Sequence, residues 1–400
     1  MKILYLINGL GFSKNTGIGG ADKRAVEVVR EASKSPDNPS NSFAILTTES
    51  GRRIFETSEG LKTKYYTITR PFWWPDVINH YLIGRVLSYL YATIYSLTLL
   101  PKLKDYDIFF SSSDFFFDTI PCFFAKVFMK RKFVAMIHHH IKNPFSRKGT
   151  LLINIFMYLS QRFSLWFIGT FSDYIFLYDT EEGRSIRTLF KKRVDKIFFY
   201  VQNGITPTLI DEAQEPQTKI YDACFVGGIR YNKGIKDFVP IWKKVIKMFP
   251  KAKFLVVGGG SKEIVDDFTN KVKENRLENY IIFTGALPNT EVYEKMKASK
   301  LFLFPSYEEG WGIVVCEAMY CKLPIICYDL PAYKVFGEKL DKAKPGDWET
   351  LADYVINYLE HPEQIEKVGE SLKKVAAAFT WEIIAKKELQ IFEEIVNAKN

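Results

Sequence analysis

The apolar run Lys300–Phe304 (KLFLF) stops at Pro305, and a short Gly-Trp-Gly loop then hands the chain to a helical pattern over Ile313–Tyr320. A buried strand delivered directly to a helix is half of a βα unit, which belongs in a parallel sheet. The loop carries Glu309, beyond the carboxyl end of the strand, where open α/β sheets bind ligands. Glu317 follows about one turn into the helix. The backbone N–H groups of Gly312, Ile313 and Val314 start that helix, and with the positive end of the dipole they attract an anion such as phosphate. Gly310 and Gly312, on either side of Trp311, let the anion approach the backbone, and Gly310, Trp311, Gly312, Ile313 and Val314 are expected to bind the ligand that carries it. A carboxylate repels phosphate but accepts hydrogen bonds from hydroxyls. Glu309 and Glu317 around such a cradle therefore suit a sugar and a ribose joined by a diphosphate. The purely structural alternative is an exposed acidic loop leading into a Glu-containing helix.

The same alternation of strands and helices runs along the chain. Strands are expected at Lys2–Ile7, Phe43–Thr47, Tyr106–Ser111, Phe133–Ile137 and Tyr174–Tyr178, with a helix at Asp22–Ala32. A polar stretch from about Asp211 to Thr218, with Pro216 among Glu and Gln, reads as a linker. Beyond it, Asp222–Val226, Lys253–Val257, Tyr280–Phe283, Leu301–Phe304 and Pro324–Tyr328 are short apolar runs between helical patterns. The fold class is α/β, with two doubly wound parallel-sheet domains. The opening MKILYLINGLGF is too briefly apolar for a signal peptide and reads as a first strand.

Charge is divided unevenly. Residues 1–200 hold 28 Lys+Arg against 17 Asp+Glu, a net of +11, whereas residues 201–400 are at −2. Phenylalanine follows the charge, with 22 of 33 before residue 201. A basic, aromatic-rich first half is attracted to an anionic surface. Nucleic acid is the competing partner, but no aromatic-glycine RNA signature or zinc spacing is present, so none is expected. Five cysteines without a C-x-x-C pair, mostly inside apolar runs, point to reduced buried thiols and an intracellular compartment.

Two apolar segments bear on the membrane. Val86–Pro101 has no charge, and Leu151–Ile168 has only Arg162. Both fall short of a span of about 20 residues. They fit peripheral contact with a membrane, or core helices buried all round. The basic clusters Lys130–Lys132 and Lys191–Arg193 are either docking points or solvated faces.

Gly17-Ile18-Gly19-Gly20 follows the first strand and precedes a helix, so Gly19 and Gly20 can cradle a phosphate. His138, His139 and His140 end another strand. Alternate side chains share a strand face, so only His138 and His140 converge, and no neighbouring Asp or Cys completes a metal set.

Residues 305–319 (PSYEEGWGIVVCEAM) match every fixed position of P-S-x-x-E-G-x-G-x-x-x-x-E-A-M, and the chain thereby resembles the family 4 retaining glycosyltransferases, which are nucleotide-sugar dependent and have the GT-B fold. The likeness extends to Gly19-Gly20, the strand ending in His138, Asn203-Gly204, CFVGGIRYNKG (224–234), FLVVGGG (254–260), FTGALPNTEVYEKMKAS (283–299) and FTW (379–381). It implies an N-terminal acceptor domain (1–205), a donor domain (218–378) and a C-terminal helix (379–400) returning to the first domain, with the active site in the cleft between them. Glu309 would contact donor sugar hydroxyls, Glu317 the ribose, and His138 the donor sugar, while Gly19 and Gly20 would approach the distal phosphate and the acceptor. Gly228, on an earlier loop, is expected to bind the donor together with residues 310–314.

Arg230 and Lys233 are the diphosphate clamp that the resemblance expects. Arg usually follows the first Gly directly, five residues before Lys; here Gly228 stands in that place and Arg230 comes two residues later. Lys233 keeps its spacing. The implied reaction moves a hexosyl group from a UDP- or GDP-type sugar with retained configuration, and the departing phosphate oxygen takes the acceptor proton. No cofactor or metal is expected, since the Asp-x-Asp metal site of the other large glycosyltransferase fold has no counterpart and the cations can do that work. Composition favours a lipid-linked glycan or polyprenyl-type phosphate as acceptor, and a cytoplasmic protein peripheral on the inner membrane face. A synthase or phosphorylase with a soluble acceptor and a non-catalytic sugar-nucleotide-binding scaffold are the alternatives.

Overall fold

The computed structural model describes residues 1–9, 18–34, 42–71, 82–141, 143–145, 147, 151–191 and 196–398. The chain divides into two units. Unit 1 comprises Met1–Pro144, Leu152–Asn203 and Trp381–Asn400, and unit 2 comprises Phe145–Leu151 and Gly204–Thr380.

Unit 1 runs β1 (Ile3–Ile7), α1 (Gly20–Ala32), β2 (Phe43–Thr48), α2 (Glu49–Arg53), β3 (Lys64–Ile68), α3 (Leu82–Leu99), β4 (Ile108–Ser111), α4 (Phe116–Met129), β5 (Lys132–Ile137), α5 (Leu151–Phe171), β6 (Tyr174–Tyr178), α6 (Glu181–Thr188) and β7 (Ile197–Val201). Its seven strands are parallel in the order β3-β2-β1-β4-β5-β6-β7. Unit 2 follows with α7 (Pro207–Glu212), β8 (Tyr221–Val226), α8 (Phe238–Met248), β9 (Phe254–Val257), α9 (Lys262–Glu274), β10 (Ile281–Gly285), α10 (Asn289–Lys297), β11 (Ser299–Phe304), α11 (Ile313–Tyr320), β12 (Ile325–Tyr328), β13 (Asp341–Ala343), α12 (Trp348–Glu360) and α13 (Glu363–Ala376). Its six strands are also parallel, ordered β10-β9-β8-β11-β12-β13. The last helix, α14 (Trp381–Asn397), belongs to unit 1.

Central strands β1 and β4 are wholly buried, β11 nearly so and β8 over Ala223–Phe225, because parallel strands are covered on both faces. In unit 1 the two faces separate by the two-residue period of a strand. Tyr5, Phe110 and Phe176 meet Phe392 of α14, with ring centroids 5.6–6.4 Å apart. Leu4, Leu6, Phe109, Ile175 and Leu177 share a core with Ala92 of α3, Cys122 of α4 and Ile168 of α5. Helix α1 packs with α14. At that contact Arg24 forms an ion pair with Glu388, each side chain at most 2% exposed. Burial alone pushes the Glu388 carboxyl upward, and Arg24 opposes that rise. The pair is incompletely satisfied, since Arg24 Nε and Glu388 Oε2 find no partner among the described residues.

Three strands absent from the sequence reading, β3, β7 and β13, lie at sheet edges. The expected linker begins inside a helix, because Asp211 and Glu212 close α7. The five cysteines are buried and unpaired.

Removing one member of a buried ion pair strands the other charge, at a cost of about 3–5 kcal/mol. Arg24→Met should lower stability by that order in denaturant unfolding, and adding Glu388→Leu should restore most of it. An equal loss in the single and double variants would contradict this account.

Candidate active site

In unit 2, chain direction reverses across the sheet between β8 and β11. From β8 the chain steps to β9 and β10, and from β11 it steps the other way to β12 and β13. Such a switch point parts the two exit loops and opens a ligand crevice at the strands' carboxyl ends. Glu309 and Lys233 stand on these two loops.

The loops are tied together by backbone. Tyr307 N–H donates to the Asn232 carbonyl at 2.8 Å, and the Ser306 hydroxyl reaches the same oxygen at 3.3 Å. Gly234 closes the 3-10 turn Tyr231–Lys233 at φ +76°, and a Cβ there would lie 2.0 Å from the Pro305 carbonyl oxygen. Only glycine permits both the left-handed backbone and this approach. The Tyr307 and Tyr328 hydroxyls both donate to Asp237 Oδ2 at 2.8 Å, and burial raises Tyr307 to about 12. Held this way, Lys233 Nζ bonds Glu309 Oε1, with the two side chains 20% and 12% exposed.

Gly312 stands at φ +96° before α11, and its Cβ position lies 3.0 Å from the Tyr333 ring. The N–H groups of Gly312, Ile313 and Val314 have no intrahelical acceptors, as the start of a helix dictates. Glu317 is 5% exposed and accepts the Tyr293 hydroxyl at 2.9 Å. Trp311 corrects the sequence reading. Its indole is buried against Phe336 and Phe379, so it anchors the turn, and only its backbone is left for a ligand. Gly310 lies on the same loop, half-buried. Arg230 is exposed, and its Nε lies 3.2 Å from where a Cβ on Gly228 would stand. The missing side chain at 228 leaves room that the Arg230 side chain occupies.

Unit 1 has its own switch point between β1 and β4. Asn8 follows β1, its N–H bonding Asp118 Oδ1 at 2.9 Å, and the Ser113 hydroxyl bonds Oδ2 at 2.6 Å. Burial raises the Asp118 carboxyl to about 8, and burial likewise raises Asp22 to about 6. Gly19 caps α1, and its N–H is taken by Asp22 Oδ2 at 3.2 Å, so a carboxylate already uses a donor expected for phosphate. Gly20 is the first helical residue, and Gly17 lies outside the described residues.

His138 ends β5 with both ring nitrogens engaged. Nε2 lies 2.6 Å from the Ser112 carbonyl, which only accepts, so Nε2 carries the proton and Nδ1 accepts the Tyr178 hydroxyl at 2.8 Å. Burial lowers the ring to about 3 and keeps it neutral. The expected bond from this ring to a sugar requires one of these contacts to open.

Sequence reasoning missed Tyr293, Tyr178, Asp237 and Glu308. Arg147 Nε meets both Glu308 carboxylate oxygens at 2.9 Å. These partners are distant in sequence, and no local pattern pairs them. It also passed over Asp105-Tyr106-Asp107, which has Asp-x-Asp spacing. That tripeptide precedes β4, at the opposite edge of the sheet from the switch-point loops, and Asp107 Oδ2 accepts the Lys2 N–H at 2.8 Å. Among the described residues, no three His, Cys, Asp or Glu side chains converge on a metal position.

Two parallel α/β sheets of seven and six strands, one to each unit, define the architecture as GT-B. The chain superposes on Anabaena HepE, solved in complex with UDP and glucose, with a TM-score of 0.75, 15% identity and coverage of 100% of both chains. Residues 208–375, within unit 2, match the family of glycosyl transferases group 1. The gpi3 subunit of Schizosaccharomyces pombe phosphatidylinositol N-acetylglucosaminyltransferase is 24% identical over 44% of this chain and 38% of its own length. Streptococcus pneumoniae alpha-galactosylglucosyldiacylglycerol synthase is 28% identical over 42% of this chain and 44% of its own length. The chain thus spans less than half the length of these two curated relatives.

Asp118 binds an extra proton in the folded state between the ordinary carboxylate range and about 8, so its contribution to stability declines as pH rises through that window. Asp118→Asn cannot titrate. Between about pH 5 and pH 8 the melting temperature of the native protein should fall relative to that of the variant. Parallel curves would rule out a neutral buried carboxyl.

Proposed function

We propose that the chain is a glycosyltransferase that moves a hexosyl group, with retained anomeric configuration, from a UDP-type sugar to a lipid-borne acceptor. The observation that carries this reading is the Lys233–Glu309 pair beside the α11 N-terminus, with the Glu317 carboxylate buried one turn further in. An ammonium and helix N–H groups suit a diphosphate, and the two carboxylates suit hydroxyls on either side of it. Donor entry would exchange the Lys233–Glu309 contact for two others, leaving Lys233 on the diphosphate and Glu309 on the sugar. Arg230, folded over Gly228, would add the second cation.

Charge develops on the leaving diphosphate as the sugar–oxygen bond breaks, and fixed cations there stabilise the transition state more than the ground state. This supplies the charge that a divalent metal would otherwise bring. The departing phosphate oxygen takes the acceptor proton. Residues 218–378 would bind the donor, residues 1–205 the acceptor, and the C-terminal helix would complete the first domain.

The UDP of the Anabaena structure supports the base, and the names of the two curated relatives, one acting on phosphatidylinositol and one forming a glycosylated diacylglycerol, support a lipid acceptor. A peripheral place on the inner membrane face follows from such an acceptor.

A thermal-shift panel of UDP, GDP, ADP and their sugar conjugates should give its largest shift with a uridine ligand. Lys233→Ala should lower kcat/KM at least about a hundredfold, mainly through kcat, and Glu317→Gln should mainly raise the donor KM. The product should partition into organic solvent, and one that stays in water points to a soluble acceptor. No shift with any nucleotide would sink the donor-site reading.

A further inference from the structure

Helix α5 is apolar on its outer face. Leu152, Phe156, Leu159, Phe163 and Trp166 recur every three or four residues, which sets them on one side of a helix, and they are 39–76% exposed. Helix α3 repeats the pattern with Ile83, Leu87, Leu90 and Ile94, at 45–75% exposure. Helix α4 lies between them. It packs on α3, and its Phe123 meets Phe167 and Phe171 of α5 at 5.4 and 4.6 Å. Phe128 of α4 is 72% exposed beside the exposed Lys130. Neither α3 nor α5 is the all-round buried core helix that the sequence allowed.

Cations outnumber carboxylates on this face, where Asp173, just after α5, is paired with Lys126 of α4 and Asp105 is exposed beside Lys104. Helices α3 and α5 contain no Asp or Glu, and the only one in α4, Asp118, is buried. Exposed cations surround the apolar stripes: Arg162 on α5, Lys102 and Lys104 just beyond α3, and Lys130 at the end of α4. Such a face repels a cation-rich copy of itself and complements an anionic interface.

The inner side of α5 decides between crossing a bilayer and lying on it. Asn154, Gln161 and Ser164 are buried there. Gln161 Nε2 donates to Asp114 Oδ2 and to the His139 carbonyl, each at 2.8 Å, while its Oε1 accepts the Ile141 N–H at 2.7 Å. A spanning helix would surrender all three bonds. A helix lying in the interface keeps them and holds the loops after β4 and β5 next to the surface.

We propose that the outer face of α3, α4 and α5 docks unit 1 on an anionic lipid bilayer, with α5 lying in the interface. This deepens the reading of a lipid-borne acceptor by naming the surface that meets its membrane, although the docking geometry stands without that reading.

The test is co-sedimentation of the full chain with phosphatidylcholine vesicles, with and without about one third phosphatidylglycerol. The native protein should pellet with the anionic vesicles and be released by salt. Leu159→Ser/Phe163→Ser should bind at least about tenfold more weakly with an unchanged melting temperature, whereas Ile220→Ser/Met248→Ser, at exposed positions in unit 2, should bind as the native protein does. Brominated lipid should quench fluorescence in the native protein more than in Trp166→Phe. Failure to pellet, equal pelleting of the α5 variant, or a native dimer that this variant returns to monomer would overturn the proposal. A nucleotide thermal shift on the same samples separates the two readings: retained shift without vesicle binding ends only the docking proposal, and vesicle binding without a shift ends only the donor-site reading.

Discussion

The carbonyl of Asn232 accepts the Tyr307 N–H, and the carbonyl of Pro305 occupies the space that a side chain at 234 would fill. That junction holds together two loops whose strands are neighbours but whose chains depart in opposite directions. Without it, Lys233 and Glu309 would stand on independent excursions and their contact would lose its fixed geometry. Asp237, accepting both Tyr307 and Tyr328, ties the junction to the start of α8 and to β12. The buried Trp311 and the left-handed Gly312 then set the direction in which α11 presents its N–H groups. The polar groups of this site are thus positioned mostly by backbone and by aromatic anchors, which lose little entropy on ordering.

Unit 1 uses the same parallel scaffold with a different electrostatic character. At its switch point the polar groups are buried and bonded to one another: Asp118 with Asn8 and Ser113, His138 with Ser112 and Tyr178, Gln161 with Asp114 and His139. Burial disfavours charge on both Asp118 and His138, so this edge holds hydrogen-bonding capacity with little net charge. The opposite face of the sheet is closed by α1 and α14 around Arg24 and Glu388. Exposed cations of the first half stand on several of its elements, Arg52 and Arg53 on α2, Arg162 on α5 and Arg187 on α6 among them.

Much of this was legible in the sequence, for identifiable reasons. Strand β11, its loop and α11 were readable because an apolar run ending at proline and a glycine turn before a helix are local signals. Strands β3 and β7 were not, since each is covered on one side only and its exposure pattern is mixed. Trp311 looked like part of a ligand loop because sequence spacing does not tell which way an indole points. The histidine run marked the end of β5 correctly, but the Tyr178 and Ser112 partners that occupy His138 come from neighbouring strands. In α3 and α5 the uncharged runs were plain, whereas the division into a bonded inner side and a bare outer side depends on what the sheet covers.

By itself the sequence determined the alternation of strands and helices, the two-domain α/β architecture, the glycine-bounded turn before α11 and the kinds of side chain available around it. Each of these follows from interactions among residues a few positions apart. Only the tertiary structure decided that β8 and β11 are neighbours, that Lys233 therefore meets Glu309, that Tyr293 reaches Glu317, and that Arg230 fills the space over Gly228. Those contacts join residues brought together by strand order, and strand order is set by how all the helices cover both faces of the sheet at once.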